Sequence, residues 1–517
     1  MPLIPVLTPL QASDWDATAV AAGRPLASLM DAAGRAVARL VLERFSSAAA
    51  HGVLVACGSG NNGGDGWVAA SALHALGTSV WVTETGQGPA NSLAATVRQR
   101  ALSHGVRSVP HDGPWPTVGL VIDAILGTGA RGPLREPISA LLERVMDLEI
   151  PVVAVDGPTG LDLETGLPHG PLTAALTITF GGIRRGHLLA RDEVGDVIVV
   201  DIGLGPADAA LPRLIDQQWA AEHLLELPAR SHKGLRGRVV IIGGEASMTG
   251  AARLAARAAF AAGAGLVHVV APAASLEVLR VAEPDVQTTP QDFSVPLAVE
   301  VIDLLERADV VVIGPGLGRA PSRGRFVLEV LAHARAAVID ADALVALKGQ
   351  VDAVAQLAAM RSFVCTPHVG EFRTLFGAYA DELETDPWES AQQASDASHC
   401  TVLLKGVPTV VADGISPLLT VAAGNPGLAT GGSGDVLAGI LGGFLAQGIA
   451  LPGAAAMAAQ ALGEAADQAA RRTTARAMRP MDVVAALGDV WRAWARAREG
   501  AQAASLVLFE LPAPRSV

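Results

Sequence analysis

The chain has 517 residues, enough for roughly two to four domains, and half of its residues are hydrophobic. Its formal net charge is −13 and it has no basic tract, which argues against binding to nucleic acid or to an anionic membrane surface. The three cysteines lie far apart and form no CxxC pair, and no signal peptide is evident, so we expect a reduced protein of the cytoplasm.

The first part of the chain leads into a turn rich in glycine and asparagine. Residues 8–50 predict helices, and residues 52–77 predict a buried strand, this turn and a further helix. The turn is not the usual GxGxxG dinucleotide fingerprint. Its Asn61, Asn62 and Asp65 offer oxygen atoms either to a hard cation or to the polar groups of a ligand.

Further units of strand and helix follow this turn. Strands are predicted at 79–83, 118–123, 152–156, 176–180 and 197–202. Two of them end in an aspartate, Asp123 or Asp156, that precedes a glycine-rich loop. Ligands of doubly wound sheets bind outside the carboxyl ends of the strands, so we expect these two loops and the first turn to form one site. Taken alone, either aspartate could instead be a helix cap or a turn residue.

Three motifs in this half resemble the YjeF N-terminal domain of the NAD(P)H-hydrate epimerase family. They are GSGNNGGDG at 58–66, DAILGTGARGPL at 123–134 and DGPTGLD at 156–162, and LMDAAG at 29–34 is similar to the opening helix of that family. The resemblance implies a Rossmann-like epimerase domain over residues 1–220.

The same resemblance implies that two loops and Asp156 contact a hydrated nicotinamide nucleotide, with Asp156 catalytic and close to the reacting ring. The implied contact residues are Asn61, Asn62, Gly63, Gly64, Asp65, Gly127, Thr128, Gly129, Ala130, Arg131, Gly132 and Pro133, of which the last seven cradle phosphate. A potassium ion held by Asn62, Asp123 and Thr159 is also implied. Gly157 and Thr159 stand where the family usually has an aliphatic residue and a serine. Threonine keeps the hydroxyl ligand, whereas we expect Gly157 to loosen the loop.

A connector without strand patterning follows, and the domain boundary is predicted near residues 205–225. The alternation of strands and helices then restarts, which predicts a second domain over 226–500 and a C-terminal tail at 501–517. Strands are predicted at 238–243, 266–271, 309–314, 337–339, 363–366 and 401–404, and a hairpin at 409–412 and 418–421.

The most informative stretch of the second half is LATGGSGDVLAGILGGFLAQG at 428–448. Its glycines let backbone N–H groups approach an anion closely, and the start of the following helix completes an anion-binding site. A phosphate held there would face Asp435, which suits phosphoryl transfer with Asp435 as general base. The alternative is a glycine-rich turn that only caps a buried helix.

An uncharged run from Val436 to Gly463 is long enough to span a membrane. It contains Gln447 and Pro452, many of its residues are small, and it lacks a basic flank. We therefore predict two buried helices joined near Leu451.

The second half resembles the ribokinase-like carbohydrate kinase domain, and within it the NAD(P)H-hydrate dehydratase branch. The motifs, in family order, are HKGLRGRVVIIGG at 232–244, TGAARLAARAAFAAGAGLV at 249–267, VVIGPGLG at 311–318, DADAL at 340–344, TPHVGEF at 366–372, KGVPTVV at 405–411 and NPGLATGGSGDVLAG at 425–439. Val369 and Ser433 depart from the commoner residues of the branch, and neither change removes a chemical group that the reaction uses.

This second resemblance implies roles for individual residues. The implied substrate contacts are Ala251, Gly318, His368 and Asp435, and the implied contacts to an adenine nucleotide are Lys405, Gly406, Val407, Pro408, Thr409 and Gly434. Asp435 would be the catalytic base, and Glu371 would position magnesium through water. His368 has a structural alternative, the cap of the helix that follows it.

Together the motifs predict an α/β protein with two three-layer αβα domains, one Rossmann-like and one ribokinase-like. The implied function is repair of hydrated NADH and NADPH. The first domain would epimerise the R and S hydrates, and the second would dehydrate the S hydrate with ADP or ATP, releasing AMP and phosphate when ADP is used. Potassium and magnesium are the implied ions, and we expect a homo-oligomer. The alternative is a small-molecule kinase of the same fold with a non-catalytic first domain.

Overall fold

The computed structural model of the chain describes residues 3–86, 88–500 and 506–514. Within these residues the chain forms two compact units. Unit 1 contains residues 3–211 and 506–514, and unit 2 contains residues 212–500.

Unit 1 alternates strands and helices along most of its length. Its elements are β1 (Ile4–Leu7), α1 (Pro9–Ala21), α2 (Leu26–Arg44), α3 (Ser46–Ala49), β2 (Val53–Cys57), α4 (Asn61–Ala75), β3 (Val80–Glu84), α5 (Leu93–Ser103), β4 (Arg107–Val109), β5 (Leu120–Ala124), α6 (Ile138–Met146), β6 (Val152–Val155), β7 (Leu176–Phe180), β8 (Ile183–Arg184), α7 (Arg185–Leu189), α8 (Arg191–Val194) and β9 (Asp196–Val200).

The main sheet of unit 1 is parallel in the order β9-β7-β6-β5-β2-β3-β4, and β1 pairs separately with β8. Every residue of β2 is buried. Val53, Val55 and Cys57 belong to one apolar core, whereas Leu54 and Ala56 belong to another. Because successive strand side chains point to opposite faces, the sheet is covered on both faces and the predicted three layers are confirmed.

Unit 2 has the same alternation over a longer stretch. Its elements are β10 (Arg213–Leu214), α9 (Gln217–His223), β11 (Arg238–Ile242), α10 (Thr249–Ala261), β12 (Leu266–Ala271), α11 (Ala273–Ala282), β13 (Gln287–Pro290), α12 (Val299–Glu306), β14 (Val310–Ile313), α13 (Arg323–His333), β15 (Ala336–Ile339), α14 (Asp342–Ala346), α15 (Val351–Ala358), β16 (Ser362–Cys365), α16 (Val369–Leu375), α17 (Pro387–Ser398), β17 (Thr401–Leu404), β18 (Thr409–Ala412), β19 (Leu419–Val421), α18 (Ser433–Ala446), α19 (Leu451–Arg472) and α20 (Pro480–Glu499).

The sheet of unit 2 runs in the order β13-β12-β11-β14-β15-β16-β17-β18-β19-β10. It is parallel from β13 to β17, and β17, β18 and β19 form antiparallel pairs. The predicted hairpin at 409–412 and 418–421 is therefore confirmed as β18 and β19, with a turn in which Asp413 accepts from the N–H of Ser416 at 2.7 Å.

Helix α18, which follows the glycine loop, packs on α10 through small residues. A methyl group placed on Gly439 would lie 2.2 Å from the carbonyl oxygen of Ala255, and one on Gly443 would lie 2.8 Å from the Cβ of Ala262. The two backbones therefore approach directly, which fixes the start of α18. The run from 436 to 463 is divided between α18 and α19, and no helix of the described residues is both long and apolar enough to cross a bilayer.

The structure differs from the predicted domain division at two places. The predicted tail contains β20 (Val507–Leu511), which pairs antiparallel with β9 in the sheet of unit 1, while residues 501–505 and 515–517 lie outside the described residues. The end of the predicted connector contributes β10 and α9 to unit 2, where the N–H of Arg213 donates to the carbonyl of Leu418 at 2.8 Å. Both segments are too short for periodicity to indicate their partners.

Candidate active sites

The first site of unit 1 is centred on Asp156, the residue directly after β6. Its backbone has a φ of 66°, a left-handed conformation that non-glycine residues rarely adopt and that often occurs at functional sites. One carboxylate oxygen accepts from the backbone N–H of Thr128 at 2.8 Å and from its hydroxyl. The other accepts from Arg184 at 3.1 Å and from the hydroxyl of Thr179 at 3.2 Å. Asp156 is thus held by three elements of the unit.

The charge state of Asp156 follows from these contacts. Burial alone would raise the pKa of Asp156, but the Arg184 guanidinium and the Thr128 hydroxyl outweigh burial and lower that pKa below its ordinary value. His187 is completely buried, which lowers its pKa to about 3, and its Nδ1 accepts from the N–H of Arg184 at 3.2 Å. The site therefore holds an ionised carboxylate beside a neutral imidazole.

Asp65 has the opposite tendency to Asp156. Burial raises the pKa of Asp65 well above its ordinary value, and the negative charges of Asp156 and Asp16 raise it further. Asp65 lies in the first turns of α4, close enough to Asp156 for their charges to interact. Two carboxyl groups whose pKa values are shifted in opposite directions therefore occur in the same site, which is an arrangement that suits one group to donate a proton and the other to accept one.

Asp123 and Thr159, two of the three predicted potassium ligands, are in direct contact. Asp123 accepts from the hydroxyl and the N–H of Thr159, both at 2.7 Å, and from the N–H of Ile125 at 3.2 Å. Burial raises the pKa of Asp123 to about 6, although these three hydrogen bonds oppose the rise. The pair thus presents a desolvated carboxylate next to a hydroxyl.

Asn62, the third predicted ligand, packs beside the same loop. A Cβ on Gly127 would lie 3.2 Å from the Cβ of Asn62 and 3.3 Å from Asp156 Oδ2. Both amide atoms of Asn62 are buried and have no hydrogen-bond partner within the described part of the chain. A buried amide without a partner is costly, so a ligand or an oxygen-seeking cation at this place fits the residues present.

The predicted phosphate loop, Gly127–Pro133, borders a cleft of about 540 Å³. Ala130, Arg131 and Pro133 line one wall, and Gly160 and His169 contribute to the other. Arg131 also forms an ion pair with Glu164. The three predicted loops of unit 1 therefore lie at one end of the sheet.

The site of unit 2 is centred on the glycine loop. Gly432 has a φ of 103° and a Cβ there would lie 2.7 Å from Leu254, so only glycine fits. Helix α18 begins at Ser433 without a side-chain cap among the described residues. A Cβ on Gly434 would lie 3.4 Å from Lys405 Nζ and 3.7 Å from Asp340 Oδ2. The open N–H groups of the helix start therefore lie beside a lysine ammonium, which suits an anion.

Acidic side chains surround Lys405 below this loop. Its ammonium donates to Asp340 Oδ1 at 2.8 Å and lies 3.5 Å from Glu371 Oε2. The other oxygen of Asp340 is buried and has no partner within the described residues. Asp342 accepts from the N–H of Gly318 at 3.0 Å. The cluster therefore joins Gly318, Lys405 and Gly434, three of the predicted contact residues.

Asp435 lies in the first turn of α18 near this cluster. Burial is the main cause that raises the pKa of Asp435 to about 7. The negative charge of Asp340 adds to the rise, and the Lys405 ammonium opposes it. A carboxylate with a pKa near the working pH is well suited to act as a general base.

His368 caps α16, as its structural alternative predicted. Its Nδ1 accepts from the N–H groups of Gly370 at 2.9 Å and Glu371 at 3.3 Å, and Glu371 accepts from the N–H of His368. The side chain is nevertheless 59% exposed, and its Nε2 lies 3.3 Å from Glu371 Oε1. The backbones of His368 and Lys405 pair, which places both side chains near the same strand ends.

The remaining predicted contacts lie around the same loops. A Cβ on Gly316 would lie 3.2 Å from the Cβ of Ala251, so Ala251 lies beside the loop that contains Gly318. The predicted nucleotide loop from Lys405 to Thr409 connects β17 to β18, and Gly406 and Val407 in it are exposed. These positions leave the loop open to a ligand.

Several side chains of the two sites carried no predicted role. Arg184 and Thr179, which fix Asp156, lie near the ends of strands that had no recognised motif around them. Asp340 and Asp342 belong to the DADAL motif, and the position of Asp340 directly after a buried strand was the available signal. Ala341 between them has a φ of 51°, a further strained position beside a site.

The fold is that of a two-domain α/β enzyme, in which unit 1 contains carboxyl groups of oppositely shifted pKa and unit 2 contains an uncapped helix start beside Lys405 and Asp435. A family model described as YjeF-related protein N-terminus matches residues 26–186, and one described as NAD(P)H-hydrate dehydratase matches residues 239–488.

Two relatives match most of the chain. The bifunctional NAD(P)H-hydrate repair enzyme Nnr of Pyrobaculum aerophilum is 37% identical over 468 residues, which cover 87% of this chain and 90% of that protein. The enzyme of the same name from Escherichia coli is 37% identical over 475 residues, covering 90% of this chain and 89% of that protein. The chain therefore belongs to the family of bifunctional NAD(P)H-hydrate repair enzymes.

Among solved structures, the chain is similar to an ADP/ATP-dependent NAD(P)H-hydrate dehydratase from Bacillus subtilis that was co-crystallised with ATP and Mg²⁺. The identity is 26% and the TM-score 0.48, with 54% of this chain and 97% of that chain covered.

Proposed function

We propose that the protein repairs hydrated NADH and NADPH in two steps. Unit 1 interconverts the R and S hydrates, and unit 2 dehydrates the S hydrate at the expense of ADP or ATP. The observation that carries the proposal is Asp435, a carboxylate of pKa about 7 placed at the start of an uncapped helix beside Lys405. Family membership supports the pairing of the two activities.

In the dehydration, the poor leaving group is hydroxide on ring carbon six. Asp435 removes the proton of this hydroxyl while the hydroxyl oxygen attacks the terminal phosphorus of ADP. The bond between that phosphorus and the AMP oxygen breaks. Phosphate then leaves carbon six, pushed by the lone pair of the ring nitrogen, and carbon five loses a proton to restore the ring double bond. The N–H groups at Gly431–Gly434 stabilise the charge on the phosphoryl group during transfer.

The acidic side chains around Lys405 in unit 2 are the candidates for contact with magnesium. No group of three or more acidic, histidine or cysteine side chains in the described part of the chain is arranged to hold a metal ion. Mg²⁺ commonly keeps its waters and binds through phosphates plus one or two carboxylates. Asp340 Oδ2, which is buried without a partner, and Glu371 fit such a role, in which the ion would neutralise phosphate charge.

In the epimerisation, the configuration at carbon six inverts when the hydroxyl leaves and water returns to the other face. The departure needs a proton donor, which we assign to Asp65, because burial and the neighbouring negative charges raise its pKa. The return of water needs a proton acceptor, which we assign to Asp156, because its lowered pKa keeps it ionised. The reverse reaction uses the resulting state, in which Asp156 donates and Asp65 accepts, and exchange of protons with solvent restores the first state. Asn62, Asp123 and Thr159 would hold potassium next to these groups and supply a fixed positive charge.

Product analysis tests the proposal. The unaltered chain is mixed with separated R and S hydrates, first without nucleotide and then with ADP or ATP. We expect interconversion of the hydrates without nucleotide. With ADP we expect free phosphate in equal amount to the recovered reduced-nicotinamide absorbance. A stable phosphorylated product would instead support the kinase alternative, and unchanged R and S ratios without nucleotide would contradict the epimerase assignment.

A further inference from the structure

Unit 1 contains a second, larger cleft that none of the predicted contact residues lines. Its volume is about 670 Å³. Its walls include the glycine turn at Gly58 and Ser59, the ring of Trp67, and the side chains of Glu84 and Arg98. The cleft therefore shares the glycine turn with the site of Asp156 but lies on the β3 side of it.

The strand register shows how the larger cleft lies relative to the site of Asp156. Cys57, the last residue of β2, is paired with Glu84 of β3 on one side and with Ala124 of β5 on the other. Neighbouring strands lie about 4.8 Å apart, so Glu84 and Ala124 are separated by roughly 10 Å across the end of β2. From β2 the chain continues to β3 on one side and later to β5 on the other. Dinucleotides bind across such a switch point, with one nucleoside on each side.

Glu84 and Arg98 form a bidentate ion pair in the cleft. Arg98 Nε donates to Glu84 Oε1 at 2.6 Å and Nη2 donates to Oε2 at 2.9 Å, and the guanidinium lies 5.7 Å from the centre of the Trp67 ring. The side chains are 14% and 23% exposed, respectively. In dinucleotide sites an acidic residue about 20 residues after the glycine turn accepts from the ribose 2′-hydroxyl, and a nearby arginine accommodates a 2′-phosphate.

We propose that this cleft binds the adenosine ribose of the hydrated dinucleotide, and that the Glu84–Arg98 pair determines selection between the 2′-hydroxyl of the NADH hydrate and the 2′-phosphate of the NADPH hydrate. This inference rests on the proposed epimerase function of unit 1. Glu84 retains free lone pairs for a hydroxyl donor but repels a phosphate. Arg98 can turn its fork from Glu84 to a phosphate, for which it is geometrically suited.

Epimerisation kinetics of the full chain test the inference, with no adenine nucleotide added so that dehydration is idle. For Glu84→Gln, we expect kcat/KM for the NADH hydrate to fall about tenfold because a charge-assisted hydrogen bond is lost. The value for the NADPH hydrate should stay the same or rise. For Arg98→Gln, we expect the reverse, a fall of about tenfold for the NADPH hydrate alone. A purely structural pair would not give opposite shifts.

Three variants serve as controls. Glu43→Gln alters an exposed glutamate that pairs with Arg39 outside the cleft, and Gln99→Ala alters an uncharged residue that lines it. His169→Asn alters the other, smaller cleft of unit 1, which is bordered by Pro133. None should change the ratio of the two kcat/KM values, and a selectivity change from His169→Asn alone would place the adenosine there and overturn the inference.

Other outcomes are equally decisive. Equal losses for both hydrates in Glu84→Gln and Arg98→Gln would overturn the inference while leaving the epimerase function intact. Absence of epimerisation by the unaltered chain would overturn the proposed function itself. If a variant fails to fold, inhibition of the unaltered chain by 5′-AMP and adenosine 2′,5′-bisphosphate gives the answer. Competitive inhibition of epimerisation by both supports the inference, and no inhibition at millimolar concentration overturns it.

Discussion

The two glycine turns of this protein offer an anion the same backbone but surround it with different charges. The turn at 58–60 leads into α4 and the turn at 431–432 leads into α18, and neither helix has a side-chain cap among the described residues. Each turn lies near acidic residues that follow buried strands. The local sequence thus produces an uncapped helix start after a glycine turn in both units, a position that suits an anion.

The neighbouring charges separate the two sites. In unit 1, Arg184 compensates Asp156, whose pKa is lowered. In unit 2, the single ammonium of Lys405 is shared by Asp340 and Glu371, and the pKa of Asp435 is raised to about 7. The comparison shows that the turn provides the place for an anion, whereas the balance of buried charges decides whether the carboxylate is a permanent anion or a titrating base.

The largest effect that we expect is that of Asp435→Asn. The substitution keeps shape and hydrogen bonding but removes the base, so dehydration should slow by about a hundred- to ten-thousand-fold. Nucleotide binding should persist, because Lys405 and the backbone N–H groups remain. Turnover of the S hydrate and calorimetric nucleotide affinity are measured in one preparation.

Epimerisation in the same Asp435→Asn preparation is the internal control and should be unchanged. Near-normal dehydration would show that Asp435 is not the base. A loss of dehydration that results only from failed nucleotide binding would equally contradict the mechanism.

Arg184→Gln should remove the compensating charge of unit 1. An uncompensated buried carboxylate typically costs about 3–5 kcal/mol when its partner is removed, so we expect unit 1 to unfold at a clearly lower temperature. Arg35→Gln is the matched control, because Arg35 and Asp31 form an exposed pair on α2 that is worth about 0.5 kcal/mol. Calorimetry of the full chain measures both, and equal small shifts would show that Arg184 is dispensable.

Asp123→Ala should lower the activity of unit 1 without changing that of unit 2. If Asp123 is a potassium ligand, the loss of epimerisation should be about tenfold or more, while dehydration stays intact. Epimerisation by the unaltered chain should increase with potassium chloride in a buffer without other alkali ions. Equal epimerisation with and without potassium would exclude the proposed ion.

The pH dependence of the two reactions should differ. The raised pKa of Asp435 leaves the carboxyl neutral below about pH 7, so the dehydration rate should fall about tenfold per unit as pH decreases from 7. Asp156, whose pKa is lowered, stays ionised over the same range, so epimerisation should decline only near pH 6 and below, where Asp123 is protonated. A dehydration rate that is flat between pH 5.5 and 7, a range that extends roughly 1.5 units below the pKa of Asp435, would contradict the role of Asp435.

Separation of the two units should have no effect on the rate of dehydration. A fragment of residues 212–500 keeps β10 and α9, and we expect it to dehydrate the S hydrate as fast as the full chain. A fragment of 226–500 lacks both elements, including the carbonyl of Ala221 that accepts from Arg498 at 2.8 Å, and should be less stable. Thermal unfolding of the two fragments measures the difference, and an inactive 212–500 fragment would show that the units share a site.

The sequence alone determined the layered architecture of both units and the loops that carry their sites. Buried parallel strands read as short apolar runs, and glycine turns are recognisable because few other residues adopt their backbone conformations. Thus the strand that contains Asp123 and the strands that precede Asp156 and His368 were predicted to within a few residues. The contact between Asp123 and Thr159 agrees with the predicted ligand set, although potassium itself stays a prediction.

Only the tertiary structure decided which distant residues complete each site. The pairing of β20 with β9 and the positions of Arg184 and Asp340 depend on how separate segments pack, and segments of only a few residues carry no periodic signal of their partners. The charge states were decided in the same way. In the sequence, Asp156 directly precedes a glycine and Asp435 directly follows one. Burial and the cations within reach nevertheless shift their pKa values in opposite directions. Electrostatic energy depends on distances through space, which the order of residues does not specify.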